Sequence, residues 1–220
     1  MLYILRKTSI VKTIIFNFRY FEPKVAIRFP VLIGKNVARM SLHGDIYIDV
    51  PENQIKTGMI KMGFSNLGIV DYQKERLLFE NSGEIHFAGK ADIGTGSRIS
   101  NSGTLTFGED FQSSGQMTVI CTKQIIFGKD NLISWNTLFM DSDLHSITDN
   151  RGGGVCNLSK PIEIGSHVWV GCNASILKGS RIANNTVIAT GSVIAGKTTL
   201  DNCIIGGNGK VLRESINWKH

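Results

Sequence analysis

Aliphatic residues stand at 164, 170, 176, 182, 188, 194 and 200, a strict step of six from Ile164 to Leu200. Four places after each of the first six comes a small or β-branched residue: Val168, Ala174, Ser180, Thr186, Ser192 and Thr198. A helix repeats every 3.6 residues and a strand every two, so neither produces this step. A fixed hexapeptide period instead signals a parallel β-helix. Three hexads then form one triangular coil of about eighteen residues, with each aliphatic side chain pointing inward about 4.8 Å from its equivalent in the next coil. Gly, Asn and Lys near the middle of the hexads fall at the corners, where left-handed backbone angles are needed.

The repeat extends upstream in a looser form. Phe79-Glu-Asn-Ser-Gly-Glu-Ile-His-Phe87 is matched by Ile99-Ser-Asn-Ser-Gly-Thr-Leu-Thr-Phe107, and Leu105-Thr-Phe107-Gly108 by Ile125-Ile-Phe127-Gly128, both at an offset of twenty. The sixfold step survives inside each coil, at 87, 93, 99, then 107, 113, 119, then 127, 133, 139. These coils are therefore eighteen residues plus a two-residue bulge at one corner. Ile162-Glu-Ile164-Gly165 opens the next coil too late for this spacing, and the excess is a loop of about twenty residues from Asp141 to Lys160. It is polar and Gly-rich, and it carries His145. Long loops on rigid scaffolds are where function concentrates.

Upstream of Leu78 the register is not visible. Short β-like runs at 31–34, 45–49, 58–63 and 67–70 read as irregular early coils. Residues 1–22 alternate apolar and basic side chains at roughly helical spacing, ending near Glu22-Pro23. This helix reads first as a cap on the open end of the coils, and second as a basic surface that touches an anionic membrane. The chain thus divides into a basic amphipathic segment, 1–24, a β-helix domain, 25–212, and a C-terminal tail, 213–220.

The hexads resemble those of the hexapeptide-repeat acyltransferases, whose coils wind left-handed against the usual crossover rule. The resemblance is strong over 158–200 and weaker over 79–145, and it is closest to the sugar O-acetyltransferases of the galactoside, maltose and xenobiotic type. It implies an all-β, left-handed parallel β-helix, a homotrimer, and acetyl-CoA as co-substrate without a covalent acyl-enzyme. It also implies roles for individual residues. The segment 133–145 looks like the family's catalytic segment, so His145 would be the general base, and an imidazole suits that task because it titrates near neutral pH. Asp143, Asp141 or a backbone carbonyl would fix its tautomer. Asn136 would hold the acceptor or the oxyanion, or else is a corner Asn in left-handed conformation. Val168-Trp169-Val170-Gly171 matches the donor motif. Gly171, Ala189 and Gly191 would let the pantetheine arm approach backbone amides, while Lys178, Lys197, Lys210 and Arg213 would meet the phosphates. The family's ending before Arg213 is shortened here and lacks its Pro.

Charge narrows the function further. The net +6 is local: residues 1–40 hold eight Lys and Arg against Glu22, and the remainder is nearly neutral. A nucleic-acid partner would want a basic face along the whole domain, so none is expected. Cys121, Cys156, Cys172 and Cys203 are far apart, as in a reducing compartment, with Cys172 and Cys203 packing inside coils. His167 falls at a corner, exposed toward the cleft, His86 faces outward, and no close His pair exists for zinc, so no metal is expected. Apolar runs near the start are interrupted by Arg6, Lys7 and Lys12. The expectation is a cytoplasmic O-acetyltransferase acting on a sugar hydroxyl in capsule, lipopolysaccharide or exopolysaccharide synthesis, with possible peripheral contact to the inner membrane through 1–22. An N-acetyltransferase of a nucleotide-linked amino sugar and a non-catalytic β-helix scaffold are the alternatives.

Overall fold

The computed structural model describes residues 2–64, 68–72 and 74–219. Leu67, which opens one of the expected early runs, and His220 lie outside them. The chain forms a left-handed parallel β-helix with three faces. Among the described residues the second and third faces have seven strands each, and the first has nine. Among the described residues the strands of these faces pair in parallel, except where Lys210–Arg213 folds back antiparallel on Ile204–Gly206. That hairpin, turning through Gly207 and Gly209 with left-handed φ, ends the first face where the sequence shows only a fading register.

Ladder register reproduces both periods. Phe87, Phe107 and Phe127 pair at the twenty-residue offset, and Ile164 follows Phe127 across the loop. Their rings stack at 5.2 and 5.6 Å, with planes 14° and 1° apart. Phe111 and Phe139 lean edge-on against this column. The wider coils use their two extra residues at the corner after Arg98–Asn101, where Asn101 is buried and donates to Asn81 Oδ1 at 2.8 Å and Glu84 O at 3.0 Å. In later coils aliphatic side chains replace the rings, and Ile164, Val170, Ile176, Ile182, Ile188 and Ile194 are all buried.

The step of six ends at Ile194. Thr198, not Leu200, pairs with Ile182 and turns inward, leaving Leu200 exposed. The last corner, Ala195-Gly196, is shorter than its predecessors, which shifts the register by two residues. The Asn corners behave as expected, since Asn136, Asn173, Asn185 and Asn202 adopt left-handed φ, whereas Lys197 lies in the strand Lys197–Thr198 and not at a corner.

Three of the early runs are strands, Val31–Ile33, Asp45–Ile48 and Ile60–Met62, whereas 68–70 form a turn. Val37–Leu42 and Leu77–Asn81 complete two coils separated by insertions. In place of one helix over 1–22 there are two, α1 (Leu2–Lys7) and α2 (Ile10–Tyr20), and a short α3 (Pro23–Ala26) follows. The break between α1 and α2 arises because Ser9 N donates to Ile33 O of the outermost strand, at 2.7 Å.

Capping by α2 is chemical as well as steric. An end strand of a β-helix presents unpaired amides and carbonyls. Asn17 answers Val31 twice, accepting its N–H at 3.1 Å and donating to its carbonyl at 2.8 Å. Thr13 Oγ1 accepts Ile33 N at 3.1 Å. One helical turn thus replaces a missing coil, with Phe16 filling the space above Phe79. Asn17→Ala leaves the Val31 groups buried and unpaired, so it is expected to lower stability by about 1–3 kcal/mol, read by urea unfolding.

Candidate active site

The loop opens and closes where the spacing placed it: Lys160 N donates to Asp141 O at 3.0 Å, which joins its two ends. Asp141 explains how a coil can be interrupted here. In the preceding coils the amides of each third-face corner donate to the carbonyls of the next coil, as Ser102 N does to Cys121 O and Thr104 N to Lys123 O. The corner at 122–124 has no such neighbour, because the loop replaces it. The buried Asp141 carboxylate takes its place, accepting Thr122 N at 2.8 Å, Lys123 N at 2.7 Å and Gln124 N at 2.8 Å. Burial, reinforced by this carboxylate, pushes the neighbouring Cys121 thiol up to about 12. Asp141 is therefore committed to the corner and does not orient His145.

Asp143 does not orient it either. Its Oδ2 accepts from Lys178 Nζ and, at 2.8 Å, from Asn157 Nδ2. Asn157 is the hub of the loop. Its Nδ2 also donates to His145 O at 2.7 Å, its Oδ1 accepts Ile147 N at 2.7 Å, and its own carbonyl accepts Lys178 Nζ at 3.0 Å. A short antiparallel ribbon, with Cys156 N donating to Ile147 O at 2.8 Å, completes the loop. The backbone at His145 is thereby clamped, while its imidazole is exposed and has no hydrogen bond within the chain among the described residues. Leu144, Ile147, Val155 and Leu158, in the same loop, are exposed as well. Asn157 carries no sequence signal, because its partners are 10 to 21 residues away.

The Lys178 ammonium, followed by the Asn157 amide, holds the Asp143 carboxyl below its ordinary range. A lowered folded-state value means that the clamp contributes stability above the usual carboxylate pKa and loses it only as pH falls through the lowered value. Hydrogen-exchange protection at Ile147 is thus expected to persist at about pH 5 and to vanish in stronger acid. Lys178→Met is expected to return Asp143 toward the ordinary range, measured by carboxyl carbon NMR titration, and to loosen the same amides.

The expected donor residues do not converge. Gly171, Ala189 and Gly191 share the corner between the first and second faces, with Trp169 on the strand just before it. Lys178 lies at the opposite end of the second face and is mostly buried in its pair with Asp143. Lys197 is on the third face, in a groove of about 530 Å³ with Arg181, Glu163 and Asp201. Lys210 and Arg213 are exposed on the closing hairpin, without a carboxylate partner among the described residues. Nor are the corner amides available to a pantetheine arm: Gly171 N donates to Ile188 O, Ala189 N to Ile205 O and Gly191 N to Cys172 O. A Cβ on Gly171 would meet Thr190 N at 2.7 Å, so coil stacking alone requires that glycine. Asn136 is a left-handed corner residue whose Nδ2 donates to Asn173 Oδ1 at 2.6 Å.

His167 and His86 are both engaged. His167 is not open to a cleft: Asp130 Oδ2 is 2.6 Å from its Nδ1, Trp218 O is 3.1 Å from its Nε2, and the Trp218 ring stacks on it at 4.2 Å. Trp218 also donates from Nε1 to His167 O at 2.9 Å, so the tail is docked along a corner. His86 faces outward as expected, stacked on Tyr47 and 2.9 Å from Asp49. Cys203 is buried inside a coil, but Cys172 is half-exposed.

Residues 161–196 match the family model described as bacterial transferase hexapeptide (six repeats). An uncharacterized 24.8 kDa protein in the cps region of Klebsiella pneumoniae is 30% identical over 172 residues, 75% of this chain and 73% of that protein. A putative lipopolysaccharide biosynthesis O-acetyl transferase of Escherichia coli is 24% identical over 144 residues, 61% of this chain and 74% of that protein. Among solved structures, a polySia-specific acetyltransferase superposes with a TM-score of 0.52 at 21% identity, covering 87% of this chain and 79% of that one. The hexads, the coil register and these likenesses agree: the chain belongs to the hexapeptide-repeat, left-handed β-helix acyltransferases and is an acetyltransferase.

Proposed function

We propose that the protein transfers an acetyl group from acetyl-CoA directly to a sugar hydroxyl during surface polysaccharide synthesis, with His145 as general base. The observation that carries this reading is the state of His145. Its backbone is fixed through Asn157, Asp143 and Lys178, while its imidazole remains open to solvent. A general base needs that combination of a held position and a free nitrogen.

Acetyl-CoA supplies the activated thioester. His145 takes the proton of the attacking hydroxyl and returns it to the departing sulfur, so the products are an acetyl ester and free CoA. The corner of Gly171, Ala189 and Gly191 fits an extended donor arm by its lack of side chains: nothing stands within 4 Å of a Cβ built on Gly191 or Gly207. The exposed cations Lys210 and Arg213 end that corner and suit phosphates. Because the corner amides are committed to coil stacking, the arm would rest on small side chains and carbonyls.

The exposed apolar residues of the loop that carries His145 favour a second subunit against that loop, and hence a homotrimer whose sites lie between subunits. The name of the Escherichia coli relative supports a lipopolysaccharide-type acceptor, and the absence of any disulfide among the described residues suits the cytoplasm. Among the described residues no helix is long and apolar enough to cross a membrane. Incubation with acetyl-CoA and a panel of deacetylated surface polysaccharides tests the proposal. An alkali-labile acetyl ester is expected on at least one of them. An alkali-stable amide instead would establish N-transfer, and free CoA without any acetylated sugar would refute both.

A further inference from the structure

α2 buries one side and shows another that is just as apolar. Thr13, Phe16 and Asn17 face the coils. Ile10, Ile14 and Phe18 form an outer i, i+4, i+8 row, and Val11 and Ile15 stand beside it. Exposures run from 43% at Ile14 to 71% at Ile10, and Ile27, after α3, adds 62%. A helix apolar on both sides is normally covered on both.

Charge says what covers it. α2 has no acidic residue, and Arg19 borders the apolar strip, while Lys12 turns to the coils and donates from Nζ to Val37 O. Lys24 and Arg28 are neutralised by Glu22 and Glu52. The exposed Arg6 and Arg19 have no carboxylate partner among the described residues. A second copy would bring like charges together across a two-fold axis. The strip is also about 16 Å long and one helix wide, far below the ~800 Å² per partner of a stable interface. An anionic bilayer surface meets both conditions, since it takes an apolar row into the headgroup boundary and attracts the cations beside it.

We infer that α2 is a monotopic docking surface that lays Ile10, Val11, Ile14, Ile15 and Phe18 into an anionic lipid headgroup layer, with Arg6 and Arg19 at the phosphates. The inference does not depend on which acceptor the enzyme uses. The test is co-sedimentation of the full chain with phosphatidylcholine vesicles, with and without phosphatidylglycerol, alongside Val11→Ser/Ile15→Ser/Phe18→Ser and Arg6→Glu/Arg19→Glu variants. All substituted side chains are exposed, so unchanged thermal unfolding is expected. The wild type should bind the phosphatidylglycerol vesicles and dissociate as salt rises, and each variant should partition about tenfold more weakly or worse. Equal or absent binding to both vesicle types, or a serine variant that binds like the wild type, overturns the inference. So does lipid-free sedimentation equilibrium in which the wild type self-associates beyond the serine variant, which would make a second copy the occupant.

Discussion

His145→Ala is expected to lower kcat for acetyl transfer by about 10²–10⁴-fold, the range for losing a positioned general base. The side chain is exposed and has no hydrogen bond within the chain among the described residues. Its removal therefore leaves no orphaned partner and no cavity, and the thermal midpoint should not move. The clamp holds the backbone at residue 145 through its carbonyl, which alanine retains. The loop should thus keep its shape, and the loss should appear in kcat while KM for acetyl-CoA stays near its wild-type value. Steady-state kinetics of CoA release at neutral pH checks this. Asn157→Ala gives a useful contrast: it removes the clamp and leaves the imidazole in place. Its kcat should fall less, together with lost exchange protection at Ile147.

Asp141→Ala is expected to cost about 3–5 kcal/mol of stability. Three amides at one corner depend on a single buried carboxylate, and removing a charged acceptor from beneath them leaves all three unpaired. For a chain of this size that corresponds to a fall of roughly 10 °C in the thermal midpoint. Asp141→Asn should recover only part of it, since the amide presents its own N–H groups to donors that need an acceptor. Because Asp141 is also the root of the loop, either variant should lose acetyl transfer along with stability, whereas His145→Ala loses transfer alone. Scanning calorimetry of the three proteins separates the cases.

These two residues also mark the limits of reading this chain from its sequence. Spacing alone located the coils, because a parallel ladder forces equivalent residues into register, and Phe87, Phe107 and Phe127 repeat at twenty for that reason. Spacing also located the loop, since an insertion appears as an excess in the same count. It failed at Thr198, where a corner shortened by two still obeys a six-residue pattern on paper. It was silent on Asn157, Asp143 and Lys178, whose alliance is made by a loop folding back across a corner and has no period. The lysine looked like a phosphate ligand because a cation near a donor groove has two readings, and only its neighbour decides between them. The two insertions before Leu77 hid the early coils in the same way. The docked tail, with Trp218 on His167, follows no repeat either.

Calorimetric titration of acetyl-CoA into the wild type and into His145→Ala separates donor binding from base catalysis, and it needs no knowledge of the acceptor. Both proteins should bind with similar affinity in the micromolar range typical of metabolite substrates, since the donor corner and the base are separate parts of the structure. Absence of binding to the wild type well above that range would contradict acetyl-CoA as the donor.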